Sequence, residues 1–334
     1  MNRPRVSVIV CAYDAAETIA ETLDSLLTQT STEFEIVVVD DGSTDSTPAV
    51  VERFAQDSSR AVRLVGMAHG GLARARNRGI EEGAGEFFAF VDADDAVAPE
   101  MIERMLACAD ELGADLVVCE MQYVDFESGS ALHVSREGDS SLYGGSLLER
   151  PGLLAELGGS VCNKLIHRSL FEKRCISFPD GRIFEDLWVA YRLCGEARFI
   201  AKVSEPLYRY RVGREGSIVS QYDLRYLEIV DALVVTNGYF IEKGDFGQLF
   251  GDLMMMNYVH LIYGRFTNLL SFGSRAVRHR YLARAFAHMD CYFPGWRSSA
   301  ALQRTSGSAI KHFVLTHRAP LILYTDMKAA RARR

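Results

Sequence analysis

No Cys-x-x-Cys pair occurs in this chain, and its seven cysteines (Cys11, Cys108, Cys119, Cys162, Cys175, Cys194, Cys291) are odd in number and widely scattered. That distribution argues against a disulfide framework or a thiolate zinc site and fits a reducing compartment. Long hydrophobic runs are missing as well. The first apolar run, from Val6 to Ala12, gives way at once to Tyr13-Asp14. It is too short for a signal-peptide core and far too short to span a bilayer, so a cytoplasmic protein is expected. The same segment continues into Cys11-Ala-Tyr-Asp-Ala-Ala-Glu17 without a glycine, which excludes the GxGxxG turn of a dehydrogenase. A GxxxxGK[ST] phosphate loop, an internal repeat and a low-complexity tract are all absent. Positive charge is in deficit: 37 Lys and Arg against 44 Asp and Glu leave a net charge of −7, against a nucleic-acid-binding surface.

What is present is the material of a large folded protein. The 334 residues correspond to about two domains of ~150 residues each. Hydrophobic residues at 48% and charged residues at 24% give an ordinary core-forming balance. The N-terminal third alternates. Strand-like runs at 6–11, 35–40, 61–65 and 86–91 are separated by helical patterns at 16–29, 47–56 and 71–84. Ile19, Leu23, Leu26 and Leu27 show the helical spacing. Strands this apolar are buried on both faces, so the pattern predicts an α/β fold with a doubly wound, mostly parallel sheet.

Further on, a helix near 99–112 and a strand at 115–120 precede a polar stretch, 126–145, expected to form an ordered surface excursion or binding loop. From Asp223 onward the pattern is helical. The expected domains are a catalytic 1–220, divided into halves 1–112 and 113–220, and a helical C-terminal region 221–334. Residues 251–334 hold thirteen Lys and Arg against Asp252, Asp290 and Asp326, a local excess in an acidic chain that suggests an anionic partner.

Open α/β sheets bind ligands at the carboxyl ends of their strands. Three acidic features fall there: Asp14 after the first strand, Asp40-Asp41 closing the second, and Asp92-Ala-Asp-Asp95 closing the fourth. Crowded carboxylates repel unless a cation or a donor-rich ligand offsets them. Asp92 and Asp94 supply hard oxygens suited to Mg²⁺ or Mn²⁺, with positions left for phosphate oxygens.

Four segments then carry a resemblance: Val6-Ser-Val-Ile-Val-Cys-Ala-Tyr-Asp-Ala-Ala-Glu17, Val37-Val-Val-Asp-Asp-Gly-Ser-Thr-Asp-Ser-Thr47, Gly71-Leu-Ala-Arg-Ala-Arg-Asn-Arg-Gly-Ile80 and Phe90-Val-Asp-Ala-Asp-Asp95. In this order and spacing they resemble the family 2 glycosyltransferases of the A-type (GT-A) fold, the nucleotide-diphospho-sugar transferase type. One departure is Cys11-Ala-Tyr-Asp14, where the family usually shows Pro-x-Tyr-Asn. The resemblance implies a nucleoside pocket lined by Ala12, Tyr13, Asp14 and Glu17, with Asp41 accepting from the base. It implies that Arg76 and Asn77 close that pocket near base and phosphate, and that Asp92, Ala93 and Asp94 meet the nucleotide sugar. Asp94 and Asp92 would be the metal pair, with Asp95 a third candidate.

Two later blocks extend the likeness. Cys162-Asn-Lys-Leu-Ile-His-Arg-Ser-Leu-Phe171 and Phe178-Pro-Asp-Gly-Arg-Ile-Phe-Glu-Asp-Leu-Trp188 resemble the acceptor half of bacterial members. By that resemblance Asp186 is the catalytic base and Glu185 a sugar contact; by residue type alone, both are acids that a helix dipole favours in a first turn. In Glu205-Pro-Leu-Tyr-Arg-Tyr-Arg-Val-Gly-Arg-Glu-Gly-Ser217, the residues Arg211, Arg214 and Ser217 recur every three positions on a Gly-containing loop, and arginine forks match phosphate oxygens.

The implied activity is inverting transfer from a nucleotide-diphosphate sugar, a UDP-sugar by resemblance, to a hydroxyl of a glycan, polymer or lipid-linked acceptor. A non-catalytic nucleotide-sugar-binding module and a sugar nucleotidyltransferase are the alternatives. The basic C-terminal region has two readings: packing against the catalytic domain or a second subunit, or peripheral contact with anionic lipid at the inner face of the plasma membrane.

Overall fold

The computed structural model describes residues 3–57, 61–135, 137–214, 224–265 and 274–332. Its contacts divide the chain into two compact units, Met1–Arg150 with Leu157–Glu215, and Pro151–Glu156 with Gly216–Arg334.

In the first unit the β-branched runs become β1 (Val6–Ala12), β2 (Phe34–Asp40), β3 (Val62–Gly66) and β4 (Phe87–Asp92), linked by α1 (Ile19–Leu27), α2 (Thr47–Asp57) and α3 (Leu72–Glu82). Val8, Val10, Ile36, Val38, Phe88 and Phe90 are all buried, so both sheet faces are covered. β2 and β4 flank β1 in parallel, and β3 lies outside β2. Winding therefore reverses between β1 and β4, which is where sheets of this type open a ligand crevice. Register sets Ala12 beside Asp40 and Cys11 beside Asp92. Helix α3 approaches β1 closely at Gly79, where an added Cβ would lie 2.3 Å from Ile9 Cγ2.

The rest of this unit holds β5 (Ala96–Val97), α4 (Met101–Leu112), β6 (Leu116–Asp125), β7 (Ala131–Ser135), β8 (Lys164–His167), α6 (Ser169–Glu172), α7 (Glu185–Glu196) and β9 (Ile200–Val212); α5 (Leu153–Glu156) belongs to the second unit. The sheet runs β3-β2-β1-β4-β8-β6-β9-β5, with β7 on β6. Parallel pairing holds among the first four strands and between β6 and β9. The second half adds antiparallel neighbours: β8 between β4 and β6, β5 on β9, and β7 on β6. Strand β8 escapes a pattern search because it has only four residues and opens on a lysine. The polar stretch expected as a loop contains β7, the outer strand of a hairpin whose residues are mostly exposed. Arg211 lies on β9 rather than on the expected loop.

The second unit is helical, with α8 (Glu228–Lys243), α9 (Phe250–Tyr258), α10 (Arg275–Tyr292), α11 (Ala300–Ser306), α12 (Ala309–Thr316) and α13 (Arg318–Ala332). Buried Asn237 and Asn257 bond each other, and His288 Nε2 lies 2.7 Å from Asn257 Oδ1. Among the described residues no helix is long and apolar enough to cross a membrane.

Candidate active site

Arg76, in α3, is 2% exposed, and its charge is shared among three acids. Nη2 lies 3.0 Å from Asp92 Oδ1 at the end of β4; Nη1 lies 2.8 Å from Glu185 Oε1 and also bonds Asp186 Oδ1. The Phe178 ring sits 5.4 Å from the guanidinium carbon. Cys162 Sγ is 3.8 Å from Nη2 and 3.6 Å from Asp92 Oδ2. The structure thus brings the Asp92 motif and the Glu185-Asp186 motif into one crevice. Arg76, expected near base and phosphate, here bonds these three carboxylates. A buried guanidinium needs carboxylates around it, and these are the ones it has. Phe184, the residue before the acid pair, holds φ at 57°, an uncommon conformation for a bulky side chain at the entrance of a helix.

Asp186 is held on its other oxygen too. Oδ2 accepts the Val161 N–H at 3.2 Å and the Ser160 hydroxyl at 3.3 Å. Burial pushes its carboxyl above the usual range, opposed by Arg76, with Asp92 adding to the rise. Glu185 is pushed up to about 7, again by burial against the pull of Arg76.

Asp94 and Asp95 point to different tasks. Asp94 Oδ2 lies 3.0 Å from Arg214 Nη1, and its backbone oxygen accepts from Arg211 Nε. Asp95 is 1% exposed, accepting the Tyr208 hydroxyl at 2.6 Å and the Arg211 N–H at 2.8 Å. Burial, reinforced by Asp92, pushes the Asp95 carboxyl well up. Both oxygens of Asp95, expected as a third metal candidate, are engaged by protein donors. Arg211 Nη1 bonds Glu21, while buried Nη2 has no partner among the described residues. Ser217 lies outside the described residues.

At the ends of β1 and β2, Asp41 accepts the N–H groups of Gly70 (2.8 Å) and Gly71 (2.7 Å), and His69 Nδ1 is 3.0 Å away. A carboxylate has about four acceptor positions, so these contacts do not exhaust it. The exposed Tyr13 ring lies 4.2 Å from that of His69, forming a small aromatic shelf. Asp14, at φ 45°, accepts the Thr44 N–H at 2.7 Å. Ala12 and Ala93 are buried beside these groups and Glu17 is exposed. Asn77 follows Arg76 on α3. Its amide spends both ends on the Phe178 backbone, at 2.8 and 2.9 Å, and so fixes the shelf under Arg76. Sequence reasoning missed Ser160, Cys162, Phe178, Tyr208 and His69 as site residues; all stand in the resembling segments or within two positions of one.

Comparison with known proteins agrees with this geometry. Residues 7–175 match the model of Glycosyl transferase family 2. The putative glycosyltransferase EpsH of Bacillus subtilis (strain 168) is 33% identical over 253 residues, covering 73% of this chain and 71% of EpsH. The poly(ribitol-phosphate) beta-N-acetylglucosaminyltransferase TarS of Staphylococcus aureus (strain Mu50) is 30% identical over 220 residues, 65% of this chain and 37% of TarS. The crystal structure of S. aureus TarS 1–349 with UDP-GlcNAc superposes with a TM-score of 0.75 at 21% identity, covering 98% of this chain and 91% of that one. A mannosyltransferase, PcManGT from Pyrobaculum calidifontis, in complex with GDP-Man and Mn²⁺, gives a TM-score of 0.54 at 21% identity, covering 100% and 89%. The fold and site define a nucleotide-sugar-dependent transferase of the GT-A type. The chain belongs to glycosyl transferase family 2 and is related to bacterial cell-envelope polysaccharide glycosyltransferases.

Proposed function

We propose that this protein transfers a sugar with inversion from a UDP-sugar to a hydroxyl of a polymeric or lipid-linked envelope acceptor, with Asp186 as general base. The observation that supports it is the sharing of one buried guanidinium by Asp92 and Asp186. Donor machinery and a candidate base stand side by side. The acceptor oxygen attacks the anomeric carbon, its proton passes to Asp186, and the bond from that carbon to the diphosphate breaks with its electron pair on the leaving oxygen. A base of raised pKa suits proton removal near neutrality and contributes ~10²–10⁴-fold. UDP as nucleotide, and an N-acetylhexosamine as sugar, follow TarS, whose structure was solved with UDP-GlcNAc.

The donor set suits a hard divalent ion. Asp92 and Asp94 keep 29% and 35% of their side chains exposed, and Mg²⁺-type sites commonly take one or two carboxylates plus substrate phosphates. Among the described residues no group of three or more His, Cys, Asp or Glu is placed to hold a metal ion, so the pair would hold the ion together with the diphosphate. Mn²⁺ or Mg²⁺ there would neutralise charge on the leaving diphosphate. Arg211 Nη2, buried and without a hydrogen-bond partner among the described residues, and Arg214 are the chain's own donors for that charge.

Within the second unit, α12 and α13 expose Ile310 (80%), Phe313, Leu323 and Met327 beside Lys311, Arg318 and Lys328. Apolar ridges among cations fit an anionic bilayer, and the reading includes weak peripheral contact there.

Asp186→Asn is the decisive experiment. The variant is expected to bind UDP-GlcNAc or UDP as the wild type does and to lose transfer. Normal transfer by this variant would remove Asp186 as the base.

A further inference from the structure

Lys164 opens β8 with no side-chain exposure at all. Its ammonium donates to Gly158 O at 3.1 Å, Ser160 O at 2.7 Å and Asn163 Oδ1 at 2.9 Å. An ammonium has three donors, so its capacity is spent on the chain just before it. From the other side Glu137, 4% exposed, accepts the Gly158 N–H at 2.6 Å. Two buried opposite charges thus grip different backbone groups of one turn. The fit is close: a Cβ on Gly158 would lie 2.8 and 2.9 Å from the Glu137 carboxylate oxygens.

The far end of this turn meets the reaction site. Ser160 Oγ accepts the Cys162 N–H at 3.1 Å and donates to Asp186 Oδ2, and the Val161 N–H donates to the same oxygen. We propose that Lys164 is a positioning residue, which through the 158–161 turn holds Asp186 in the orientation for taking the acceptor's proton. This rests on the reading of Asp186 as base. Glu137 anchors the same turn from behind. A side chain such as methionine would fill the space without burying a charge, but it would leave two backbone carbonyls and an amide oxygen without their donor.

The test uses the full-length protein as wild type, Lys164→Met, Asp186→Asn and the double variant. UDP affinity is measured by calorimetry, UDP-GlcNAc turnover by UDP release, and amide exchange over 157–163 by mass spectrometry. Lys164→Met is expected to speed exchange of this segment at least tenfold, to leave UDP affinity within twofold, and to lower kcat 10- to 100-fold. In the Asp186→Asn background it should lower turnover no further, because both changes act through one group. Ser160→Ala, a milder cut in the same path, should lower kcat severalfold with the same non-additivity should Lys164→Met not fold. An unchanged kcat despite faster exchange, or additive losses, would overturn the role of Lys164. Wild-type turnover by Asp186→Asn alone would sink the general-base reading instead, and this role with it.

Discussion

Tyr208 donates its hydroxyl to Asp95 at 2.6 Å and accepts the Asp92 N–H at 3.1 Å, tying both ends of the Asp92–Asp95 turn to β9 from a fully buried position. Asp95, 1% exposed, has no water to replace the hydroxyl. Tyr208→Phe is therefore expected to cost about 1–3 kcal/mol, seen as a lower urea midpoint with an unchanged slope. An effect within 0.5 kcal/mol would show that the turn does not depend on this bond.

Removing Arg76 should expose the repulsion it suppresses. Arg76→Met leaves Asp92, Glu185 and Asp186 crowded and partly buried, a loss of about 3–5 kcal/mol by analogy with broken buried ion pairs. Arg76 holds down the proton affinity of Glu185 and Asp186, so without it they bind protons more tightly in the native state and the loss should be smaller at pH 5 than at pH 8. Thermal unfolding of wild type and variant at the two pH values checks both size and sign.

Glu185 makes an opposite contribution in the wild type. Its native pKa, about 7, stands above the ordinary carboxylate value of 4.5, so the native state holds the proton more tightly than the unfolded chain. Stability from this group is present below pH 4.5 and is lost as pH rises through 7. Glu185→Gln, which stays neutral, should stabilise the protein by about 1–3 kcal/mol at pH 8 relative to its effect at pH 4.5. Equal effects at both pH values would contradict the assignment.

Membrane contact is tested by flotation with phosphatidylglycerol vesicles. At low salt the wild type should float with them and not with phosphatidylcholine vesicles, and about 0.5 M salt should release it. Ile310→Glu with Phe313→Glu, both on exposed positions, should abolish flotation while leaving UDP binding intact.

Legibility in the sequence followed locality. The first four strands and three helices emerge from patterns that complete themselves within a dozen residues, and their boundaries shift by only a few positions. The carboxylates were legible for the same reason, since Asp41, Asp92 and Asp186 each sit in a compact string. Arg76 is legible as a residue of its motif, whereas its three acid partners, 16, 109 and 110 positions away, are not. Asn77 reads as a polar helix residue until the Phe178 backbone is seen taking both ends of its amide. β8 was invisible because four residues that include a buried lysine carry no period.

The amino-acid order by itself determined the alternating α/β half and its acid-tipped strands, because hydrophobic spacing and turn chemistry act over short stretches of chain. Only the tertiary structure decided that one guanidinium would join acids from two distant motifs, that Asp95 would turn inward, and that a buried ammonium would brace the turn behind Asp186. These outcomes depend on which charges lose water together, and desolvation belongs to the packed interior, where residues far apart in sequence must satisfy one another.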